Sequence, residues 1–586
     1  MDKFYTKERN AQIVLALLKA RGIRKVVVSP GTTNIAIVGS VQNDPYFQVY
    51  SSVDERSAAY LACGLAAELG EPVVLSCTGA TASRNYMSGL TEAFYRKLPV
   101  IALTSGLNVN RSGHLFPQFV DRTEQPKDLV KCSVQLPVIQ SSDDEWNCVV
   151  KTNHALLEAS RHGGGPVHLN LVTAGELTDF SVKELPNVRV IHRVDEEDEF
   201  PQLPKGRIAI FVGSHQPFSK ELTQKVDTFC AQHDAVVFCD HTSGYKGAYR
   251  VLYPMVAAQQ IHDENTSPEL LIHIGEVSGD YSTVGKIHSA KRVWRVSEDG
   301  EIRDYFRKLS YVFEMSEDKF FSHYITNADT VKKDSYFKAC QEHVDKLLQA
   351  LPDLPFSNIW MAQRLSSRLP EGSTLHLGIL NSLRSWNFFE IPTSVTSFSN
   401  VGGFGIDGGV SALIGASLCN PEKLYFGVFG DLAFFYDMNV LGNRYVGKNV
   451  RLLLVNNGKG TEFRMYTHPG ATFGEDADKF IAAGGHFGNK SPQLVKHYAQ
   501  DLGYEYLCAS SKEEFEQVYD LFISPKIGER SIIFEVFTNH EDESDALKLM
   551  NHIEEDVNLK MKSIIKKTCR KVIGDNVVQT VKKIIK

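Results

Sequence analysis

No Cys-x-x-Cys pair occurs in this chain, although it holds ten cysteines. That absence argues against a structural zinc site, and the scatter of the cysteines argues against a disulfide scaffold. No apolar run reaches the roughly 20 residues that a membrane span needs. Basic charge is not in excess either: 63 Lys and Arg stand against 70 Asp and Glu, a net charge of −7. A general nucleic-acid-binding role therefore gets no electrostatic support. The opening stretch, "MDKFYTKERNAQIVLALLKARG", mixes acids and bases ahead of an amphipathic segment and lacks a signal-peptide core. These absences predict a soluble cytoplasmic protein with no nucleic-acid partner.

What is present is an alternation of short apolar runs with helical patterns, the mark of parallel α/β domains. At 586 residues the chain is too long for one core. Strands are expected within 24–31, 46–53, 72–79, 99–106 and 166–172, then within 207–214, 235–241, 269–277 and 291–299, and finally within 373–380, 423–431, 450–458 and 531–538. The acidic, Pro-containing "VDEEDEFPQLPKG" (194–206) reads as a solvated linker, and "LLQALPDLPFS" (347–357) marks a second boundary. The reading is three successive Rossmann-like parallel-sheet domains, at 1–190, 191–345 and 346–540, with a tail at 541–586. Residues 560–586 carry nine Lys or Arg against the single acid Asp575, with apolar residues near helical spacing. Such a tail packs on its own protein or lies on an acidic membrane surface.

Chemistry concentrates at strand ends. In "VYSSVDERSAAYLACGLAAE" (49–68) an apolar strand runs into a helix of small side chains, with Glu55 at the joint. Acids are common there because they complement the helix dipole, yet these surroundings look too tight and apolar to keep the carboxylate wet. In "GDLAFFYDMNVLGNRYVGKNVRLLLVNNGKG" (430–460), Asp431 follows one strand and Asn457 ends the next. One crossover helix between parallel strands sets those ends side by side. A carboxylate, an amide oxygen and a nearby backbone carbonyl make a hard oxygen set suited to Mg²⁺. Upstream, "SNVGGFGIDGGVSALIGASL" (399–418) places glycines before an apolar helix, where backbone can approach an anion closely.

These residues identify a resemblance. "SPGTTN" (29–34), "VDERSAAYLACGLA" (53–66), "CTGATASRN" (77–85), "GFGIDGGVSALIGA" (403–416) and "GDLAFFYDMN" (430–439) resemble the thiamine-diphosphate-dependent enzymes over roughly residues 5–540. Within that superfamily the chain is most similar to the menaquinone-pathway synthase branch, which also reads Gly-Asp-Leu around Leu432. The resemblance implies pyrimidine-binding, central and diphosphate-binding domains in that order, with thiamine diphosphate and Mg²⁺ as cofactors. It implies that Glu55 hydrogen-bonds the aminopyrimidine and that Ile406 wedges the cofactor into its bent form. Thr78, Gly403, Gly405, Asp407, Gly430, Leu432 and Ala433 fall in its cofactor-binding stretches, and Asp431, Asn457 and Lys459 in its metal set. Gln118 stands at the spacing of a family active-site glutamine, and His114 shares its loop as a candidate proton donor. Family architecture draws Glu55 and the diphosphate site from different subunits, so a homodimer or homotetramer is implied.

The match breaks where substrate would bind. The branch's Ser-Pro-Gly-Ser-Arg arginine is replaced in Thr32-Thr33, and a second arginine is replaced by Val401. Each lost charged hydrogen bond removes on the order of 1.5–3 kcal/mol of carboxylate binding, so a changed acceptor is expected. Arg84, Arg111 and Arg384 are candidate replacements, alongside Thr32 and Thr33. The expected activity is decarboxylation of a 2-oxo acid followed by ligation to a carbonyl or sugar acceptor, in a surface-polysaccharide or other biosynthetic setting. The alternatives are a simple decarboxylase releasing an aldehyde and a non-catalytic cofactor-binding subunit. A nicotinamide dehydrogenase is disfavoured, because "RIAIFVGS" lacks the GxGxxG fingerprint.

Overall fold

The computed structural model describes residues 4–107, 109–175, 177–259, 267–326, 335–487 and 490–555. The basic segment 560–586 lies outside them. The chain forms two compact units, Met1–Phe200 with Glu298–Met315, and Pro201–Ser297 with the chain from Ser316 onward. Among the described residues no helix is long and apolar enough to cross a membrane.

In the first unit, β1 (Lys25–Val28), β2 (Gln48–Ser51), β3 (Val73–Thr78), β4 (Val100–Gly106), β5 (Cys132–Leu136) and β6 (Val167–Val172) form one sheet in the order β2-β1-β3-β4-β6-β5. All its pairings are parallel. Covered on both faces, β3 and β4 are almost wholly buried, which is why their sequences are continuous apolar runs. β7 (His192–Val194) pairs in parallel with β13 (Leu309–Phe313) in the same unit.

The second unit holds two further groups of strands. β8 (Ile208–Val212), β9 (Ala235–Cys239), β10 (Arg250–Leu252), β11 (Leu270–Ile274) and β12 (Arg292–Val296) run in parallel in the order β10-β9-β8-β11-β12. β14 (Thr374–Leu377), β15 (Thr396–Ser399), β16 (Tyr425–Gly430), β17 (Val450–Asn456), β18 (Glu505–Ala509) and β19 (Ile532–Phe537) form a parallel sheet ordered β15-β14-β16-β17-β19-β18. Its winding repeats that of the first sheet. The ends of β3 and β4 in one unit therefore correspond to those of β16 and β17 in the other, and Thr78, Asp431 and Asn457 stand at the ends of β3, β16 and β17. In such sheets ligands gather at the carboxyl edge, where the loops meet.

Every apolar run expected to be a strand contains one. The edge strands β5, β15 and β18 carry no such signal, because half-exposed edges mix polar and apolar residues.

Candidate active site

In the first unit, the helix Glu55–Leu69 starts at an N-cap, Asp54, whose Oδ1 accepts from the Ser57 amide at 2.9 Å. Glu55 is the first helical residue, and its Oε2 accepts from Asn85 Nδ2 at 3.4 Å. Ala58, Ala59, Ala62 and Cys63 are buried behind it, as their small side chains predict. They pack on the helix Met87–Tyr95 so closely that a Cβ on Gly89 would lie 2.4 Å from that of Ala59. The expectation that Glu55 is dry needs correction within one chain: it is only half-buried. The buried small residues begin one turn further along the helix, while Val53, two residues before Glu55, is 81% exposed.

A cavity nearby in the fold is bounded by Thr33, Thr78, Gly79, Gly106, Gln118 and Arg122 among others. Thr33 Oγ1 lies 2.5 Å from Thr78 Oγ1 and donates to the Ser105 carbonyl at 2.6 Å. Gln118 is exposed and holds a left-handed backbone at φ 69°, a strain that non-glycine residues bear mostly at functional loops. The structure thus brings Thr33, Thr78 and Gln118 together. Glu55 does not line this cavity, and Thr32 and His114 point to solvent as exposed residues. Arg111 stacks over Phe116 and Phe119, at 5.2 and 5.7 Å from the ring centroids. Arg84 Nη2 donates to the Asp121 carbonyl at 2.7 Å.

In the second unit, one cavity gathers Ile406, Gly430, Asp431, Leu432, Ala433, Asn457 and Lys459. The register Gly430↔Val455 between β16 and β17 sets the two strand ends level. Asp431 opens the helix Asp431–Asp437, is 4% exposed, and accepts from the Leu432 amide at 2.9 Å. Burial pushes its carboxyl up to about 7, with the Glu535 carboxylate adding to the shift. Asn457 Oδ1 is buried without a hydrogen-bond partner. The Lys459 ammonium pairs with Asp478 at 2.6 Å, while its carbonyl accepts from the Thr461 amide at 2.8 Å.

A buried carboxylate and an orphaned amide oxygen in one cavity are acceptors short of positive charge. That is what a hard divalent cation supplies, with a backbone carbonyl as a further oxygen ligand. Among the described residues no cluster of three His, Cys, Asp or Glu exists to hold a metal by side chains of those types. The oxygen set at Asp431, Asn457 and Lys459 fits Mg²⁺ without one.

Gly403, Gly405 and Asp407 do not line this cavity, although Ile406 between them does. The helix Gly409–Ser417 that follows has an N-terminal amide already engaged, since Ser411 donates to Asp437 at 2.5 Å. Arg384 is held by Glu462 at 2.6 Å, and Glu462 itself lines the cavity. Three contributors carry no sequence motif. Leu380 stands in the wall at φ 64°, Glu543 arrives from the last described helix, and Arg122 lies in the first unit's cavity. Burial pushes Glu543 up to about 7, and it accepts from the Asn358 amide at 3.1 Å. Only the fold delivers such residues; a lone Leu, Glu or Arg in a strand-to-helix chain has no local mark.

The family described as "Thiamine pyrophosphate enzyme, N-terminal TPP binding domain" matches residues 9–125. The chain is similar to the 2-succinyl-5-enolpyruvyl-6-hydroxy-3-cyclohexene-1-carboxylate synthase of Phocaeicola vulgatus, 32% identical over 565 residues, which cover 94% of this chain and 99% of that protein. The protein of the same name from Bacteroides thetaiotaomicron is 32% identical over 569 residues, 94% of this chain and 99% of its own length. That of Porphyromonas gingivalis is 27% identical over 579 residues, covering 94% and 97%. Nothing among these relatives supports a surface-polysaccharide setting.

Proposed function

This chain belongs to the thiamine-diphosphate-dependent enzymes, and from that premise we propose that it removes carbon dioxide from a 2-oxo acid and ligates the acyl remainder to a carbonyl acceptor. The observation that carries the reading is the pairing of buried Asp431 with the unpartnered Asn457 Oδ1 in one cavity. Asp431, Asn457 and the Lys459 carbonyl would hold Mg²⁺ and, through it, a diphosphate. Ile406 in the cavity wall would press on the cofactor between its two rings. Bound thiamine diphosphate supplies an electron sink for the pair freed when the carboxylate departs.

The chain's own residues do the rest. Glu55 would hold a proton at its carboxyl oxygen against the ring nitrogen of the aminopyrimidine. A second surface closing over Val53, Tyr60 and Leu61, all exposed, would exclude the water that now reaches it. We assign that surface to a second copy of the chain, making a cytoplasmic homodimer the least active unit and a homotetramer compatible with it. Gln118 and His114 would face the substrate from their loop, with Gln118 already pre-set by its strained backbone.

The relatives' shared name describes a product that bears carboxylate, succinyl and enolpyruvyl groups. With Thr33 spent on Thr78 and Ser105, and Val401 buried, this chain offers no arginine at those two positions. Its acceptor is therefore assigned as different from theirs.

The test is a screen for carbon dioxide release from pyruvate, 2-oxoglutarate, phosphonopyruvate and related acids, with and without carbonyl acceptors. Release from at least one acid, dependent on thiamine diphosphate and Mg²⁺ and suppressed in Glu55→Gln, is the expected result. Ligated product rather than free aldehyde separates a carboligase from a simple decarboxylase. Full turnover in Glu55→Gln removes the role given to that acid.

A further inference from the structure

One acid is set into the core of the sheet that carries Asp431. β19 lies between β17 and β18, and its residues Ile532, Ile533, Phe534 and Val536 are buried apolar side chains. Glu535 among them is 1% exposed. Asn456 Nδ2 donates to its Oε1 at 2.6 Å, and the Tyr506 hydroxyl donates to its Oε2 at 2.7 Å. Both partners are neutral, and no cation pairs with Glu535 among the described residues. Burial raises its carboxyl above the usual value, and the two hydrogen bonds oppose that shift. An acid in a central strand costs stability that an apolar residue of its size would not. Packing alone gives no reason for it.

Its position supplies one. β17 and β19 pair with Leu454 opposite Glu535 and Asn456 opposite Phe537. Asn456 closes β17, and the next residue is Asn457. The Asn456 carbonyl accepts from the Thr538 amide at 3.0 Å while its side chain is fixed on Glu535. Backbone and side chain of that residue are thus both tied to β19, and Asn457 leaves from a strand end held on two counts. Its Oδ1 is the buried acceptor left without a partner. Asp431 also lies within electrostatic reach of Glu535. Neither Glu535 nor Asn456 lines the cavity that gathers Asp431, Asn457 and Lys459. Glu535 therefore acts on that cavity through Asn456 and through its charge.

Resting on the Mg²⁺ set assigned above, we propose that Glu535 is a positioning residue for the cation: its charge-assisted bond to Asn456 aims Asn457 Oδ1, and its charge joins that of Asp431 in attracting the ion. The empty protein holds two acids within reach of one another, and a divalent ion relieves both. Groups one step removed from a metal's ligands commonly set its affinity by about 10–100-fold, because they fix how the ligands point.

Calorimetric titration of Mg²⁺ into the full chain, with thiamine diphosphate present, tests this. Glu535→Gln keeps the shape of the side chain and removes its charge, and it should weaken Mg²⁺ binding by about tenfold or more. Tyr506→Phe removes the bond to the other carboxylate oxygen and leaves the link to Asn456, so it should bind Mg²⁺ as the wild type does. If Glu535→Gln does not fold, Asn456→Ala serves instead, since it cuts the same link and should weaken Mg²⁺ likewise. On any 2-oxo acid that releases carbon dioxide, the apparent KM for Mg²⁺ should rise in Glu535→Gln while kcat at saturating Mg²⁺ is kept. A merely structural acid would lower the melting temperature of the cofactor-free protein and leave Mg²⁺ affinity unchanged, and that result overturns the inference. Equal weakening by Tyr506→Phe overturns it too, as a general loosening of the strand. Absence of Mg²⁺ binding in the wild type removes the metal set itself, whereas wild-type binding that Glu535→Gln does not alter removes only the role of Glu535.

Discussion

Asp431 shows how one residue can be fit for a ligand at the expense of the empty protein. Its carboxyl is raised from 3.8 to about 7, chiefly by burial. The folded state therefore holds a proton that the unfolded state has lost across that interval. Its contribution to stability is fully present below pH 3.8 and is lost as pH rises through 7. Without cofactors, then, thermal stability should fall between pH 5 and pH 8 by an amount that Asp431→Asn largely removes. The same variant should lose the rise in melting temperature that thiamine diphosphate with Mg²⁺ gives the wild type at pH 8. Scanning calorimetry with and without a chelator measures both effects. An identical cofactor-induced rise in Asp431→Asn would falsify the metal assignment. At this scale legibility varied with motif: Asp431 and Asn457 stand at recognisable strand ends, whereas Arg122 is one arginine in an irregular loop.

At the scale of elements, the helix that carries Glu55 is positioned by its neighbour. Helices Glu55–Leu69 and Met87–Tyr95 approach so closely that Gly89 has no room for a methyl group against Ala59. Gly89→Ala should destabilise the first unit by about 1–3 kcal/mol, as overpacking does, and displace Glu55 enough to lower turnover. Gly64→Ala on the same helix meets nothing within 4 Å and should leave the folded chain as stable as before or slightly more so. Urea unfolding of both variants separates the two, and equal destabilisation would contradict the packing described. The small side chains of this helix were readable as tight packing behind Glu55, but that the helix Met87–Tyr95 supplies the contact was not. The edge strands β5, β15 and β18 were not readable, since half-solvated strands lack a continuous apolar run. The strained turns at Gln118 and Leu380 were equally silent, as nothing local in those residue types announces a positive φ.

For the whole molecule the question is how the two halves of the proposed site meet. Glu55 belongs to one compact unit and the Asp431 cavity to the other. If the active site joins these halves across a dimer, Glu55→Gln and Asp431→Ala will each be inactive alone yet complement one another. Random mixing of the two variants makes about half the dimers mixed, each with one intact site of two, so about a quarter of wild-type activity should return. Light scattering should show a dimer or larger species, and failure to regain activity on reassociation would place both residues within one subunit's site.

The sequence by itself determined the three parallel α/β sheets, because strands buried on both faces must be continuously apolar, and it set Asp431 and Asn457 near one another, because consecutive strand ends in such a sheet lie level. Only the tertiary structure decided which oxygens are left without partners, which charges are buried without compensation, and that Glu55 is half wet in the single chain. Those properties depend on what surrounds a side chain from distant segments, and no local pattern of residues encodes that.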